Sequence, residues 1–578
     1  MVVSRVPSRS SGAFVGFVLL AALESCGRTT LDFVWSGESH GNEAGGSGVE
    51  AGGRPSAPHG EGGRGAEGGN GARGGGADAS FGGYANDGND GGSDVGGSDG
   101  DEEPPVVDPG GPIPNCAFDV TPEIDKRDDR WLGFLGRPSG TEDLAVYLVE
   151  LSGNGPRHLT YLADVDGEPS PGGFSGDGRY YAMVEYDAYS PVATHVYAVT
   201  SNEPPLEIDL PDDLNGVIWS PTGSRFFSGA GQGKLVIADA ADPAGSRTDI
   251  SLPGSLTLAR WWPDGKYLAL AVGAAAFLID VSNPAQLVPL AGVNASFVWS
   301  SDPRFLAHRN ASGLHVLDTS DWSTRSWSAE GHQVQDHKWI SPSTLVWRGV
   351  GNETFFVDVS SSPLESLPLA DQAYFGAPSP SGKCFAYIGV CDATQREGVC
   401  ITMLPPTVEH PSVMVGGPQN EVLTWAASSD HLLFYEGWIG NGQAKLWSVR
   451  ADGGPYDAIE IASDFEAVSQ VAGYNPGPAE WVGYFPDYAE TDEPDRLWQQ
   501  SSGKTHGFDL EGLLPVSSLW SPDGAYYVVS ARTRTYPPSK GPLLVQRVNG
   551  SELGERWRLD GMVASWNARR PTDFSWQP

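Results

Sequence analysis

Positive charge is scarce in this chain. Lys and Arg number 36 against 73 Asp and Glu over 578 residues, a formal net charge of −37. A surface of that sign repels nucleic-acid phosphates and gives anionic lipid headgroups nothing to hold, which excludes DNA or RNA as an expected partner. Cysteine is sparse as well, five residues with no Cys-x-x-Cys spacing, which argues against a structural zinc or a thioredoxin-type redox centre. No His-Glu-x-x-His occurs, so the helical zinc-protease motif is absent. No apolar run approaches the roughly 20 residues of a membrane-spanning helix. Two Gly-x-Ser-x-Gly patterns, around Ser39 and Ser98, have neither a strand nor a helix beside them, as a hydrolase nucleophile would need. The acidic run from Asp87 to Glu103 lacks the period of calcium-binding repeats and reads as a solvated linker. No catalytic residue, metal site or cofactor is therefore expected.

What is present begins with a leader. Arg5 and Arg9 precede an apolar stretch from Gly12 to Leu23, too short to span a bilayer and suited to a signal-peptide core. Leu23-Glu24-Ser25-Cys26 follows and resembles a bacterial lipobox, although Glu24 stands where a small or apolar residue is usual. The resemblance implies cleavage after residue 25 and acylation of the Cys26 thiol, and such a multiply acylated residue anchors stably. An ordinary signal peptide with an incidental cysteine is the alternative. Gly27 is not Asp, and by similarity to enterobacterial sorting this implies the outer membrane, periplasmic or surface-facing. Residues 26–115 then form a tether. Its stretch 27–115 holds 28 glycines in 89 residues and shows no hydrophobic period. It cannot bury enough apolar surface to offset its ordering entropy, and is expected to be disordered with a reach of roughly 50 Å.

Past Cys116 a phrase recurs: an aromatic, Ser-Pro or similar, a polar residue, Gly, then a strand. It is clearest as Trp219-Ser220-Pro221-Thr222-Gly223 and Trp520-Ser521-Pro522-Asp523-Gly524. Variants start at Phe174 (with Gly178), Trp262 (with Gly265), Trp299, Trp339, Pro378 (with Gly382), Trp425 and Tyr474. Proline fixes φ early in a turn, the polar side chain bonds nearby backbone, and glycine accepts positive φ at the exit. The aromatic ends a strand and packs between sheets. Successive phrases start about 38 to 49 residues apart, the length of one four-stranded propeller blade. Short apolar runs broken by Gly, Pro and Asp fill the intervals, as at Phe226–Ser228, Leu235–Ile237, Thr248–Leu252 and Leu256–Ala259.

The expected fold of residues 116–578 is all-β: a propeller of about 8–10 four-stranded units, entered near Trp131 and ending near Trp566. One wide ring, two rings, or a smaller ring with decorations all remain open. The phrase resembles the WD40-like repeats of the TolB-type propeller family over most of residues 118–578. The resemblance implies a fold and an envelope setting, and transfers no function.

The anchors Phe174, Trp219, Trp262, Trp299, Trp339, Trp425 and Trp520 are read as packing between blades rather than as a ligand platform. Cys391 and Cys400 flank a hairpin and suit a disulfide. Cys116 and Cys384 pair only if the fold brings the start of the domain to that blade; otherwise they are free buried thiols. His332, Asp336 and His337 form the densest histidine cluster, read as exposed loop residues rather than a metal site. The expected function is an envelope lipoprotein presenting the propeller as a binding or scaffold module for a protein, peptide or glycan. The alternative is a carbohydrate-active hydrolase or lyase with carboxylates in the channel.

Overall fold

The computed structural model describes residues 113–119 and, interrupted at connecting loops, residues 130–559, together with the strand Phe574–Trp576 and two short strands, Gly16–Leu19 and Phe33–Ser36. No helix occurs among the described residues. The strands build ten antiparallel four-stranded meanders. In the third, Asn215–Trp219, Arg225–Gly229, Lys234–Asp239 and Thr248–Ser251 pair in sequence order. The first strand of each blade lies innermost and the fourth is the exposed edge. The middle strands are buried along most of their length, as at Tyr267–Val272, because a neighbouring blade covers each face. That is why they read as unbroken apolar runs rather than alternations. On blade 4 the ribbon of Gly16–Leu19 and Phe33–Ser36 adds to the inner edge, Val34 pairing with Leu258.

The ring is single. Ten apolar clusters each join consecutive blades. One of them joins blade 10 to blade 1, packing Tyr526, Val528, Leu543 and Val545 against Leu132, Phe134, Tyr147 and Val149. The sequence repeat and the blade are offset by one strand. Leu256–Trp261, which follows the third strand-set in sequence, is the innermost strand of the next blade. The chain therefore begins blade 1 with its second strand, Arg130–Gly136, and supplies the missing innermost strand last. Phe574–Trp576 pairs with Leu132, Gly133 and Phe134 and closes the ring. The last unit thus ends beyond Trp566, where the sequence pattern had placed it.

The recurring phrase is the turn from first to second strand. Gly178, Gly223, Gly265, Gly382 and Gly524 all sit at φ between +69° and +75°, which only glycine adopts without strain. In blade 10, Ser521 Oγ bonds Asp523 and accepts from the Tyr526 amide, while Asp523 accepts from the Ala525 amide. Blade 8 puts Ser429 in the glycine place at φ +64°, and its hydroxyl accepts the Ser381 amide of blade 7.

The aromatic of the phrase has a job that packing alone does not explain. The indole N–H of Trp219, Trp261, Trp339, Trp425 and Trp520 donates to the carbonyl of Gly173, Ile218, Val298, Ala377 and Gly473 respectively, at 2.9–3.2 Å. Each acceptor immediately precedes the anchor of the previous blade. The anchor of blade 4 is accordingly Trp261, not Trp262. Trp262 stands in the serine place and packs on Trp299 at 4.3 Å. Two adjacent tryptophans made the register ambiguous by one residue. We expect Trp520→Ala to lower stability by about 3–5 kcal/mol. Trp520→Phe keeps most of the apolar area but leaves the Gly473 carbonyl without its donor, at a cost of about 1–2 kcal/mol. Urea melts separate the two, and equal losses would refute a distinct role for the indole bond.

Candidate functional site

Two arrangements stand outside the chemistry of the repeat. The first is a strap. In a four-stranded meander the first–second and third–fourth turns share one end, so all the repeat phrases lie on one face of the ring. On that face, residues 113–119 cross from blade 8 to blade 7. Ile113 and Cys116 donate their amides to Gly454 and Ala451, in the third–fourth turn of blade 8. Asn115 forms an isolated antiparallel bridge with Asp452. The Cys116 carbonyl accepts Ser381 Oγ at 2.6 Å, and Lys383 Nζ meets Asp119 at 2.6 Å. Ile113 and Cys116 are buried in the cluster between blades 7 and 8. Cys116 is bonded to Cys384, the first residue of the second strand of blade 7, across 268 residues of sequence. The fold does bring the start of the domain to that blade. Cys391 and Cys400 form the second disulfide, across the hairpin of the same blade.

The second arrangement is a buried histidine group in blades 5 and 6. His337 lies on the innermost strand of blade 6, Val334–Trp339, and is 7% exposed. This corrects the reading of an exposed loop histidine; His332 lies outside the described residues. Sequence reading missed its two companions. His308 and His315 face each other on adjacent strands of blade 5, their rings stacked at 4.9 Å. Among the described residues neither ring nitrogen of His308 has a hydrogen-bond partner. Burial, helped by the charges of His315 and His337, pushes the His308 imidazole down to about 4. Burial also pushes His337 down to about 4, with Asp336 opposing it and Arg309 and Arg260 adding to it. Among the described residues no three His, Cys, Asp or Glu side chains converge on a point that could hold a metal.

Among the described carboxylates three are displaced, all downward. Burial would raise Asp177, but hydrogen bonds from Ser175 and Arg179 outweigh it. The Arg304 guanidinium holds Asp318 far below the usual carboxylate range. Burial would raise Asp430, but bonds from His431 and Ser428 outweigh it. Asp177 and Asp430 lie in turns of the repeat, and Asp318 is one of a set, with Asp239, Asp280 and Asp358, that caps the end of a third strand by accepting nearby amides or hydroxyls. Sequence reading passed over this set because Asp is abundant everywhere. Cys26 lies outside the described residues.

Ten four-stranded blades closed by the terminal strand define a β-propeller. No family model matches the chain, and no curated protein does. Among solved structures the chain is similar to a eukaryotic initiation factor, at 12% identity over 78% of this chain and 99% of that one, TM-score 0.42. It is similar also to the β-propeller domain of Cps50 (Swd1) from Myceliophteria thermophila, at 15% identity over 48% and 93%, TM-score 0.27. A third is dihydro-heme d1 dehydrogenase NirN in complex with DHE, at 12% over 71% and 78%, TM-score 0.32.

Proposed function

We propose that the chain is an exported lipoprotein, anchored through Cys26 to the outer membrane, that presents a TolB-type propeller as a binding or scaffold module for an envelope protein, peptide or glycan. The strap carries this reading. Residues 113–119 are pinned to the turn face. The opposite face, where the second–third and fourth–first connections emerge, is left to a partner. The Trp-Ser-Pro-x-Gly phrases support the TolB-type relationship. Processing before Cys26 would remove the strand Gly16–Leu19 from the mature chain. The enzyme reading needs a carboxylic acid held protonated near neutral pH, and the displaced carboxylates go the other way.

The test uses one variant twice. Metabolic labelling with a fatty-acid analogue marks the wild-type protein, and Cys26→Ser abolishes the label and releases the protein from the membrane. Equal labelling of the variant would overturn the anchor. The released variant then serves as bait in an envelope extract and on a glycan array. A specific partner, lost when the face opposite the strap is blocked, is the expected result. Retention that depends on the strap face would reverse the orientation.

A further inference from the structure

Among the described residues nine blades are sheets of four strands, and blade 4 is a sheet of six. The addition is made at its inner edge, where Phe33–Ser36 pairs with Leu256–Trp261, Val34 standing opposite Leu258. The other nine inner edges are less open to a further strand. Those of blades 1, 5 and 8 are three residues long. Those of blades 2, 3 and 9 hold a glycine at positive φ, Gly173, Gly216 and Gly473, which takes the backbone out of the extended line a ladder needs. Those of blades 7 and 10 hold a proline, Pro378 and Pro515, which has no amide to donate. On blade 6 the Arg309 guanidinium already donates to the Val334 and Gln335 carbonyls, and the charged residues Asp336 and Lys338 follow. Leu256–Trp261 has six residues without proline or glycine, and past a bulge at Thr257 its register is unbroken from Leu258 to Trp261. The outward amides and carbonyls of such an edge are a template for one more strand.

The segment that takes the place is suited to it. Of the five residues Leu31 to Trp35 four are apolar and two of those aromatic, a strand-forming composition within a glycine-rich stretch. Sequence reading merged it with the tether because five residues make no period. Phe33–Ser36 falls in the same compact unit as the ring. Its far edge takes Gly16–Leu19 over four register pairs, so an extended apolar segment adds to this sheet twice in succession.

We propose that the inner edge of blade 4 is a strand-addition site for an extended apolar peptide, and that Phe33–Ser36 is its tethered resident. The proposal deepens the binding-module reading and rests on it for the claim that a partner's segment takes the same place. Backbone bonds to the edge supply affinity, and alternate side chains select the sequence. The resident belongs to the same chain and competes at high effective concentration, so a partner's strand binds by displacing it.

The test uses the mature chain carrying Cys26→Ser, with a synthetic peptide of residues 31–37, Leu-Asp-Phe-Val-Trp-Ser-Gly, as the probe. Val34→Pro removes the amide of the residue opposite Leu258 and lies outside the blade's own four strands, so it spares the ring. In that variant the channel-facing amides of Leu258–Trp261 are expected to exchange at least about tenfold faster, while the amides bonded to Tyr267–Val272 keep their rates. Saturating peptide restores the slow rates in trans. The peptide is also expected to bind Val34→Pro at least about tenfold more tightly than the unsubstituted chain, where the resident must first be displaced. A photo-crosslinker at the valine of the peptide should mark Leu256–Trp261. Equal exchange in the two chains would overturn the resident. Equal affinity for the two, or crosslinks confined to another blade, would overturn the site. Both arms use a defined peptide, so failure to capture any partner from envelope extract counts against the binding-module reading alone, and the two failures are distinguishable.

Discussion

Arg130→Met is expected to lower the stability of the propeller by about 3–5 kcal/mol, because it strands a buried carboxylate. Arg130 Nε meets Asp523 Oδ2 at 3.0 Å, with side chains 3% and 0% exposed. Arg130 opens the second strand of blade 1 and Asp523 sits in the repeat turn of blade 10, so the pair spans the closure. Around it lie the apolar cluster between the two blades and the bond from Arg547 to the Gly153 carbonyl. Water cannot solvate the charge left behind without opening that joint. The attraction itself is worth less than this loss suggests, since both groups were taken out of water to make it. Arg130→Met combined with Asp523→Asn is therefore expected to recover most of the stability. Asn keeps an oxygen for Ser521 and the Ala525 amide, which Asp523 serves now. Denaturant melts of the two single variants and the double give the coupling. Losses that simply add would show that the pair does not hold the closure. A local effect should also appear in hydrogen exchange, fastest at Leu132 and Phe134, whose strand receives the terminal strand.

The propeller is legible in the sequence because each turn must solve the same problem and uses the same residues to do so. Trp219, Pro221 and Gly223 recur in kind at Trp520, Pro522 and Gly524, and the glycines do take positive φ. Strand limits are legible as well, Tyr267–Val272 and Leu287–Leu290 lying where apolar runs end at turn residues. Ring closure is not. It depends on two segments at opposite ends of the domain, and nothing local in Phe574–Trp576 announces its partner. The strap fails for the same reason: the Cys116–Cys384 bond follows from where blades 7 and 8 stand in a ring of ten. Trp262 was misread because pattern alone cannot choose between two adjacent indoles, whereas one hydrogen bond from Trp261 to Ile218 does. His337 was misread because a strand whose neighbours cover both faces buries polar side chains too. His308 and His315, seven residues apart in sequence, meet only through the hairpin register.

Those histidines give the propeller an acid limit. His308 and His337 are held neutral, both near 4, against an ordinary value of 6.5 in the unfolded chain. A base whose folded value is depressed costs nothing above the unfolded value. As pH falls below 6.5 the unfolded chain takes up the proton and the folded one does not, so stability declines until about pH 4, where the folded form is protonated as well. At 1.36 kcal/mol for each unit, either residue accounts for about 3 kcal/mol over that window. Protonation would place charge between blades 4, 5 and 6. The charges of His315 and His337 act against a cation on His308, and those of Arg309 and Arg260 against one on His337, where Asp336 and a backbone hydrogen bond at Ala307 work the other way. His315, also depressed by burial, contributes in the same direction. The buried carboxylates work over a lower range. Arg304 keeps Asp318 ionised far into acid, so its contribution is lost only well below the histidine window. We expect urea melts to show stability falling steadily between pH 6.5 and 4. His308→Leu should be less stable or unchanged at pH 8 yet lose about 3 kcal/mol less than wild type on acidification, because the group that takes up the proton on unfolding is gone. The same flattening is expected for His337→Leu, whose ring sits against a different blade interface. A wild-type profile flat between pH 6.5 and 4.5, or one whose slope survives both substitutions, would mean that these imidazoles are solvated in the folded ring and that blades 4–6 are less tightly closed than their burial indicates.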